Sequence, residues 1–340
     1  MSRTHRTNRP IARRTFLQAT SAAAIGVAFA RRAFADQDQP AQIAITLDLE
    51  MSRHFPAWED THWDYEKGNL DEPTKRYAVE AARRVKAHGG RIHFFALGRT
   101  MEQPSVEWLK GIAAEGHPIG NHTYDHVYVL AQKPEDIQFR FQRAPWLIAG
   151  RDVSEVIAEN IRLGEIAIRD RVGIPVQGFR TPGGFYNGIS ERADLQQLLL
   201  AQGYKWVSSR YPQHKSTQPG EPVTEEVFAD IVRSQQDAQP FVYPTGLIEI
   251  PMSPISDVGA LRSGRWKLDD FLTAIRRAVT WTIDNGKVFD FLAHPSCLVV
   301  ADPKFQAIEL LCELVDNSHG RAELVTLNQV AESVRPQADS

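Results

Sequence analysis

Four short stretches gather the side chains able to move protons or hold a cation. "ITLDLEM" (45–51) ends an apolar run on two carboxylates, Asp48 and Glu50. Along a strand, residues i and i+2 share a face, so both acids point the same way. Two like charges that close call for a cation, a shared proton or a division of tasks. "GNHTYDH" carries His122 and His126, four residues apart. On a helical turn that spacing places both imidazoles on one face, able to reach a single ion. Two histidines and a carboxylate form a recurrent open site for Zn²⁺ or a related divalent ion, with positions left for water and substrate. "FRTPGGF" supplies Arg180, whose guanidinium can orient a carboxylate, followed by Pro182, Gly183 and Gly184. "FLAHPSC" sets His294 just past an apolar run, where Pro295 turns the chain out of a sheet. Each stretch has a plainer reading as surface histidines, a rim ion pair or a packed histidine, so their relative placement decides.

That placement comes from the elements around them. Strand-like runs occur at 43–48, 92–97, 117–121, 176–181, 205–209, 247–252, 288–293 and 322–327. Amphipathic stretches alternate with them, such as 73–90, closed by Gly89 and Gly90, and 268–286. Strand–helix alternation over this length predicts an α/β fold, a distorted (β/α) barrel of seven to eight parallel strands in a single domain. A doubly wound open sheet is the alternative, but no glycine-rich phosphate turn follows the first strand. All the polar clusters fall at the same ends of their strands, the face on which such barrels carry their chemistry. No G-x-S-x-G nucleophile motif is present.

The first 35 residues read as an export signal outside the fold, leaving 36–340 as the barrel domain. Arg13 and Arg14 precede Phe16 and Leu17, a short alanine-rich apolar run follows, and "AFA" (33–35) offers a small-x-small cleavage site. The arginine pair points to the twin-arginine route and a periplasmic or extracellular location. The formal charge is −3, and loss of the seven arginines in that segment takes it to −10. So acidic a chain argues against nucleic acid or an anionic membrane surface as partner. No later stretch is long and apolar enough to span a membrane. Cys297 and Cys312 can pair in an oxidising compartment or remain two buried thiols.

The ordered set Thr46-Leu-Asp48, His122-Thr-x-x-His126, Arg180-x-Pro182 and Leu292-x-His294 resembles the polysaccharide deacetylases, carbohydrate esterase family four. The resemblance runs from about Ile43 to Leu327. It implies a distorted barrel, one divalent metal (zinc, cobalt or nickel), and hydrolysis of N- or O-acetyl groups on a polysaccharide or peptidoglycan. It also implies that His122 and His126 hold the metal, Asp48 is the general base oriented by Arg180, and His294 is the general acid. Pro182, Gly183 and Gly184 would then bring backbone close to the substrate. The family's first motif has two adjacent aspartates followed by glycine, whereas this chain reads Asp48-Leu49-Glu50. Glu50 is the candidate third ligand; a swap that puts Asp48 on the metal and makes Glu50 the base stays open. The acid's supporting carboxylate is not at its usual place either, and Asp257 or, less readily, Asp290 can serve.

Two insertions stand out. Residues 53–69 pack in Phe55, Trp58, Trp63 and Tyr65, which suits sugar stacking, with Trp63 the candidate contact, or a lid buried against the barrel. Residues 127–175 are longer than the family's usual connection, and within them 152–173 read as an amphipathic helix opened by an Asp152/Glu155 capping box, with Ile157, Ile161 and Ile168 on its core face. Rival readings are an allantoinase-like amidase acting on a small cyclic amide and an inactive carbohydrate-binding barrel. His122 and His126 together with export argue against the first, and Arg180 and His294 kept beside both histidines argue against the second.

Overall fold

A strand that is buried from end to end organises the molecule. The computed structural model describes residues 39–52 and 67–334. Strand β1 (Ala41–Leu49) is apolar or small at most positions and buried at nearly all of them, the pattern of a parallel strand covered on both faces. Around it lie β2 (Ile92–Ala96), β3 (Ile119–Asn121), β4 (Phe179–Phe185), β5 (Trp206–Arg210), β6 (Phe241–Val242), β7 (Ile248–Glu249), β8 (Val288–Ala293) and β9 (Ala322–Val325).

The sheet order is β6-β7-β5-β4-β3-β2-β1-β8. Every pairing is parallel except the short β6–β7 hairpin. β8 lies along Gln42–Leu47 on one side of β1. The other side is shared, β9 taking Ala41–Ala44 and β2 taking Ile45–Leu49. Beyond β7 the chain runs on to meet β8: Ser253 N donates to Asp290 O at 3.0 Å, and Ser256 bridges to Leu292. The sheet therefore curls until its two ends touch, and the distorted barrel expected from the alternation is the fold.

Helices pack outside it. Helix Glu72–Ala87 begins where the Asp71 side chain accepts from Thr74 N at 2.9 Å, with proline in its first turn. It buries Tyr77, Ala78, Ala81, Ala82 and Val85, the i, i+3/i+4 stripe of a core-facing helix. Helix Leu268–Asp284 buries Phe271, Ile275 and Val279 among others, each roughly 2 kcal/mol of transfer free energy. Helix Val153–Val172 has the Asp152/Glu155 capping box and ends on Gly173 at φ 83°, a left-handed position that favours glycine. Ile157, Ile161 and Ile168 are buried as expected.

The barrel interior changes character along its length. At one end Phe95, Trp206, Ile250, Leu327 and Val330 form a closed apolar plug, with the last two supplied by helix Leu327–Val334. At the other end the interior turns polar, with Thr46, Asp48, Arg180, Ser208 and Asp290 all buried. Arg180 marks the boundary, its guanidinium carbon 4.3 Å from the centre of the Phe95 ring.

Two differences from the sequence reading have local causes, and one open alternative is decided. β4 begins at Phe179 rather than 176, because Gly178 sits at φ 85° and interrupts the extended chain. β6 was not expected, since two residues are too few to give a periodic signal. Cys297 and Cys312 are both buried free thiols.

Candidate metal centre and active site

Asp48 is the penultimate residue of β1, and the chain turns at the strand's end, Glu50 N donating to Asp48 O at 3.0 Å. A strand tip and a tight turn together aim both carboxylates into one cavity. The turn is fixed by distant groups: Ser296 Oγ donates to Glu50 O (2.7 Å), and Arg262 Nη1 to Ser52 O (2.8 Å). Glu50 is 3% exposed. Its Oε1 accepts from Lys67 Nζ at 2.5 Å and from Ser52 Oγ at 2.7 Å.

Its Oε2 faces two histidines instead. His126 Nε2 lies 2.8 Å away and His122 Nε2 3.6 Å away. The sequence reading put these histidines on a helical turn, and the structure does not. They flank an irregular loop after β3 in which Thr123 and His126 adopt φ of 64° and 61°, conformations uncommon for residues with a Cβ. Side chains hold the loop in place of helical hydrogen bonds. Asn121 Oδ1 accepts from Thr123 N, and Asn160 Oδ1 accepts from both Tyr124 N and Asp125 N, each at 2.9 Å. His122 Nδ1 lies 3.0 Å from Arg180 O. A carbonyl can only accept, so Nδ1 carries the proton and Nε2 turns its lone pair to the cavity.

One ligand atom each from Glu50, His122 and His126 lies within 4.8 Å of the others. Glu50 Oε2 is buried and meets no donor in hydrogen-bonding geometry. A carboxylate whose buried Oε2 meets no donor, together with two imidazole nitrogens, makes a set that fits a divalent cation. Burial alone would raise the Glu50 pKa, but His126 and Lys67 outweigh it and hold the carboxyl well below its usual range. Burial also pushes the His126 pKa down to about 4, with Glu50 pulling in the other direction.

Asp48 stands beside this set without joining it. Arg180 Nη1 donates to Asp48 Oδ1 at 3.0 Å and to Thr46 Oγ1 at 2.8 Å; Nη2 donates to Asp290 Oδ2 at 2.5 Å; Nε donates to Ser208 Oγ at 3.2 Å. Arg180 is wholly buried, so each arm of its guanidinium is met by an oxygen of the barrel wall. Asp290 thus belongs to Arg180 and not to His294. Asp48 Oδ2 points into the cavity, 3.8 Å from His122 Nε2 and 4.0 Å from His294 Nε2.

His294 caps helix Pro295–Ala301 at the end of β8. Asp257 meets it twice, Oδ2 accepting from His294 N at 2.7 Å and Oδ1 lying 2.9 Å from Nδ1. Burial works against a charged ring, but Asp257, then Glu50 and Asp48, outweigh it and raise the His294 pKa above the ordinary value. Asp257 opens a single π-helical segment, Val258–Ser263, along the cavity wall, a type of distortion frequent at functional sites.

Asp48, Glu50, His122, His126 and His294 line one cavity of about 760 Å³, together with Thr181, Pro182, Gly183 and Gly184 and with Tyr128, Ile137 and Phe139. Glycine is required at 184: a Cβ there would lie 2.5 Å from the Cβ of Tyr211. Trp63 lies outside the described residues, as do the rest of 53–66 and the signal segment. Sequence reasoning missed Lys67 and Ser52. Ser52 continues the alternation of Asp48 and Glu50 and was legible in principle, whereas nothing in the sequence ties Lys67 to a residue seventeen positions earlier.

Comparison with known proteins bears on this arrangement. Residues 69–202 match the family model described as polysaccharide deacetylase. That span contains His122, His126, Arg180 and Pro182–Gly184, with Asp48, Glu50 and His294 outside it. A peptidoglycan-N-acetylglucosamine deacetylase of Bacillus cereus is 40% identical over 67 residues, 19% of this chain and 23% of that protein. The chain therefore matches about a quarter of the length of this curated relative. Two solved structures named as polysaccharide deacetylases share the fold over 87% of this chain and 91% of theirs, each with a TM-score of 0.58. One is from Mycobacterium smegmatis (17% identity) and one from Pseudomonas aeruginosa PAO1 (12%).

Proposed function

We propose, from the match of residues 69–202 to the polysaccharide deacetylase family model, that the chain is a metal-dependent hydrolase that removes N- or O-acetyl groups from a glycan. Peptidoglycan is the substrate suggested by the curated relative. The observation that carries this reading is the meeting of three elements in one cavity: the Glu50–His122–His126 set, Asp48 beside it, and His294 with its Nε2 3.6 Å from Glu50 Oε1 and 4.0 Å from Asp48 Oδ2.

In this reading Glu50, His122 and His126 hold one divalent ion, zinc or alternatively cobalt or nickel. Bound there, the ion would polarise the acetyl carbonyl and make a bound water more acidic. Asp48, steadied by Arg180, takes a proton from the water as its oxygen bonds to the acetyl carbon. His294, its ring oriented by Asp257, gives a proton to the leaving nitrogen or oxygen as that bond breaks. Acetate and a free amine or hydroxyl result. The Pro182–Gly184 backbone lies where an acetylated sugar would be seated. Residues 1–35 act as a twin-arginine export signal in this proposal, delivering the 36–340 domain to the periplasm or beyond. Among the described residues no helix is long and apolar enough to cross a membrane.

The test is acetate release from chitooligosaccharides, acetylxylan and peptidoglycan by protein of measured metal content. Release from at least one, abolished by chelation and restored by zinc, is expected. Zinc-loaded protein that releases acetate from none of the three overturns the reading.

A further inference from the structure

Glu50 is divided between two kinds of neighbour. Oε2 faces the histidines, while Oε1 is occupied by Lys67 Nζ at 2.5 Å and Ser52 Oγ at 2.7 Å. Lys67 is itself 3% exposed, so its ammonium is held out of water against this carboxylate. It is not an incidental surface pair, because its main chain is anchored to the same turn, Met51 N donating to Lys67 O at 2.9 Å. Backbone and side chain together make the position of Nζ relative to Glu50 a property of the fold. A charge-assisted bond of this kind removes an oxygen from other uses.

We propose that Lys67 is a positioning residue that confines Glu50 to one-oxygen ligation through Oε2 and thereby holds down the affinity of the centre for its divalent ion. The inference rests on the metal centre described under Proposed function. Without Lys67, Oε1 keeps only the uncharged Ser52 hydroxyl, a donor that a cation can displace, and the whole negative charge of the carboxylate acts on that cation. With Lys67 in place, one oxygen is taken and part of the charge is already balanced by a neighbouring positive group. The centre then holds its ion less tightly, and the ion keeps more of its electron demand for the other groups that reach it.

The test uses the full chain with zinc alone as probe. Zinc affinity is measured by competition with a chromogenic chelator for wild type, Lys67→Met and Lys67→Gln. Lys67→Met preserves the length of the stem but not the charge, and it should bind zinc at least tenfold more tightly, about 1.4 kcal/mol. Lys67→Gln keeps a donor to Oε1 without the charge, should bind tighter by a smaller factor, and provides the test if the methionine variant does not fold. Thermal melts give a second readout. Zinc-free Lys67→Met should melt below wild type, because Glu50 is left buried without its ammonium, and zinc should raise its melting temperature by more than it raises that of wild type. A purely structural lysine would lower the melting temperature with and without zinc and leave the affinity unchanged. Variant affinities equal to or weaker than wild type overturn the inference. A wild-type chain that binds no zinc, cobalt or nickel overturns the metal centre itself, a separate outcome.

Discussion

Asp257 grips His294 at two atoms, its backbone N–H and its ring Nδ1, at 2.7 and 2.9 Å. One contact fixes where the chain leaves β8, and the other fixes the tautomer and tilt of the ring. Nε2 is thereby aimed at the cavity rather than along its wall. If His294 supplies the proton to the leaving group, Asp257→Asn should lower turnover on an acetylated sugar amine by about 10²–10⁴-fold, the range for a general acid. An aryl acetate, whose phenolate departs without protonation, should lose far less. Parallel assays on the two substrates check this, and equal losses on both would count against the acid role.

The two carboxylates of "LDLE" should respond differently to substitution. Glu50→Ala should abolish stoichiometric zinc, since Oε2 is the only carboxylate oxygen grouped with the two imidazoles among the described residues. Asp48→Asn should keep zinc and lose turnover by about 10²–10⁴-fold. Metal analysis beside kinetics separates the two, and zinc lost from Asp48→Asn but kept by Glu50→Ala would exchange their roles.

Removing Arg180 should destabilise the barrel as well as inactivate it. Its wholly buried guanidinium links Asp48 and Asp290. Arg180→Met would leave two carboxylates in the interior without a counter-charge, at a cost of about 3–5 kcal/mol in urea denaturation. Adding Asp290→Asn should recover part of that stability and none of the activity. A double variant no more stable than the single one would show that the pair does not account for the loss.

Acid sensitivity should be traceable to two buried histidines away from the metal set. Burial depresses His93 to about 3 and His117 to about 4, below the ordinary 6.5. The unfolded chain therefore takes up these protons first as pH falls. Their contribution is complete above pH 6.5 and is lost on descending towards 4 and then 3. Each adds a slope of up to about 1.4 kcal/mol per pH unit within its window. His93→Gln keeps a donor for Gln177 O, which His93 Nε2 meets at 2.7 Å, and it should flatten the stability–pH curve between pH 6 and 4. Urea midpoints across that range would reveal the change, and an unaltered slope would exclude His93 as a source.

Much of this was legible in the sequence, and what was not has physical reasons. β8 matches its expected span, and β1 could be read from its apolar run and from the acids at its end. The histidine pair could be located but not its backbone, because spacing favoured a helical turn while Asn121 and Asn160 support a left-handed loop. Asp290, lying within a strand, is the less favoured partner for His294 in the sequence; inside a barrel a strand residue can face a buried arginine, and it does so here. Lys67 was invisible, because a lysine becomes meaningful only when folding removes it from water.

The central position of β1 also governs how the molecule can assemble. β1 precedes every other described strand in the chain, yet two of its neighbours are β8 and β9, more than 240 residues later. The serine that steadies Glu50 is 246 residues away. Contacts so far apart in sequence carry a loop-closure cost that must be met before they stabilise anything, which slows folding. The groups around Glu50 therefore cannot acquire their final spacing until the last strands arrive, and an ion offered to the nascent chain would find separate ligands rather than a site.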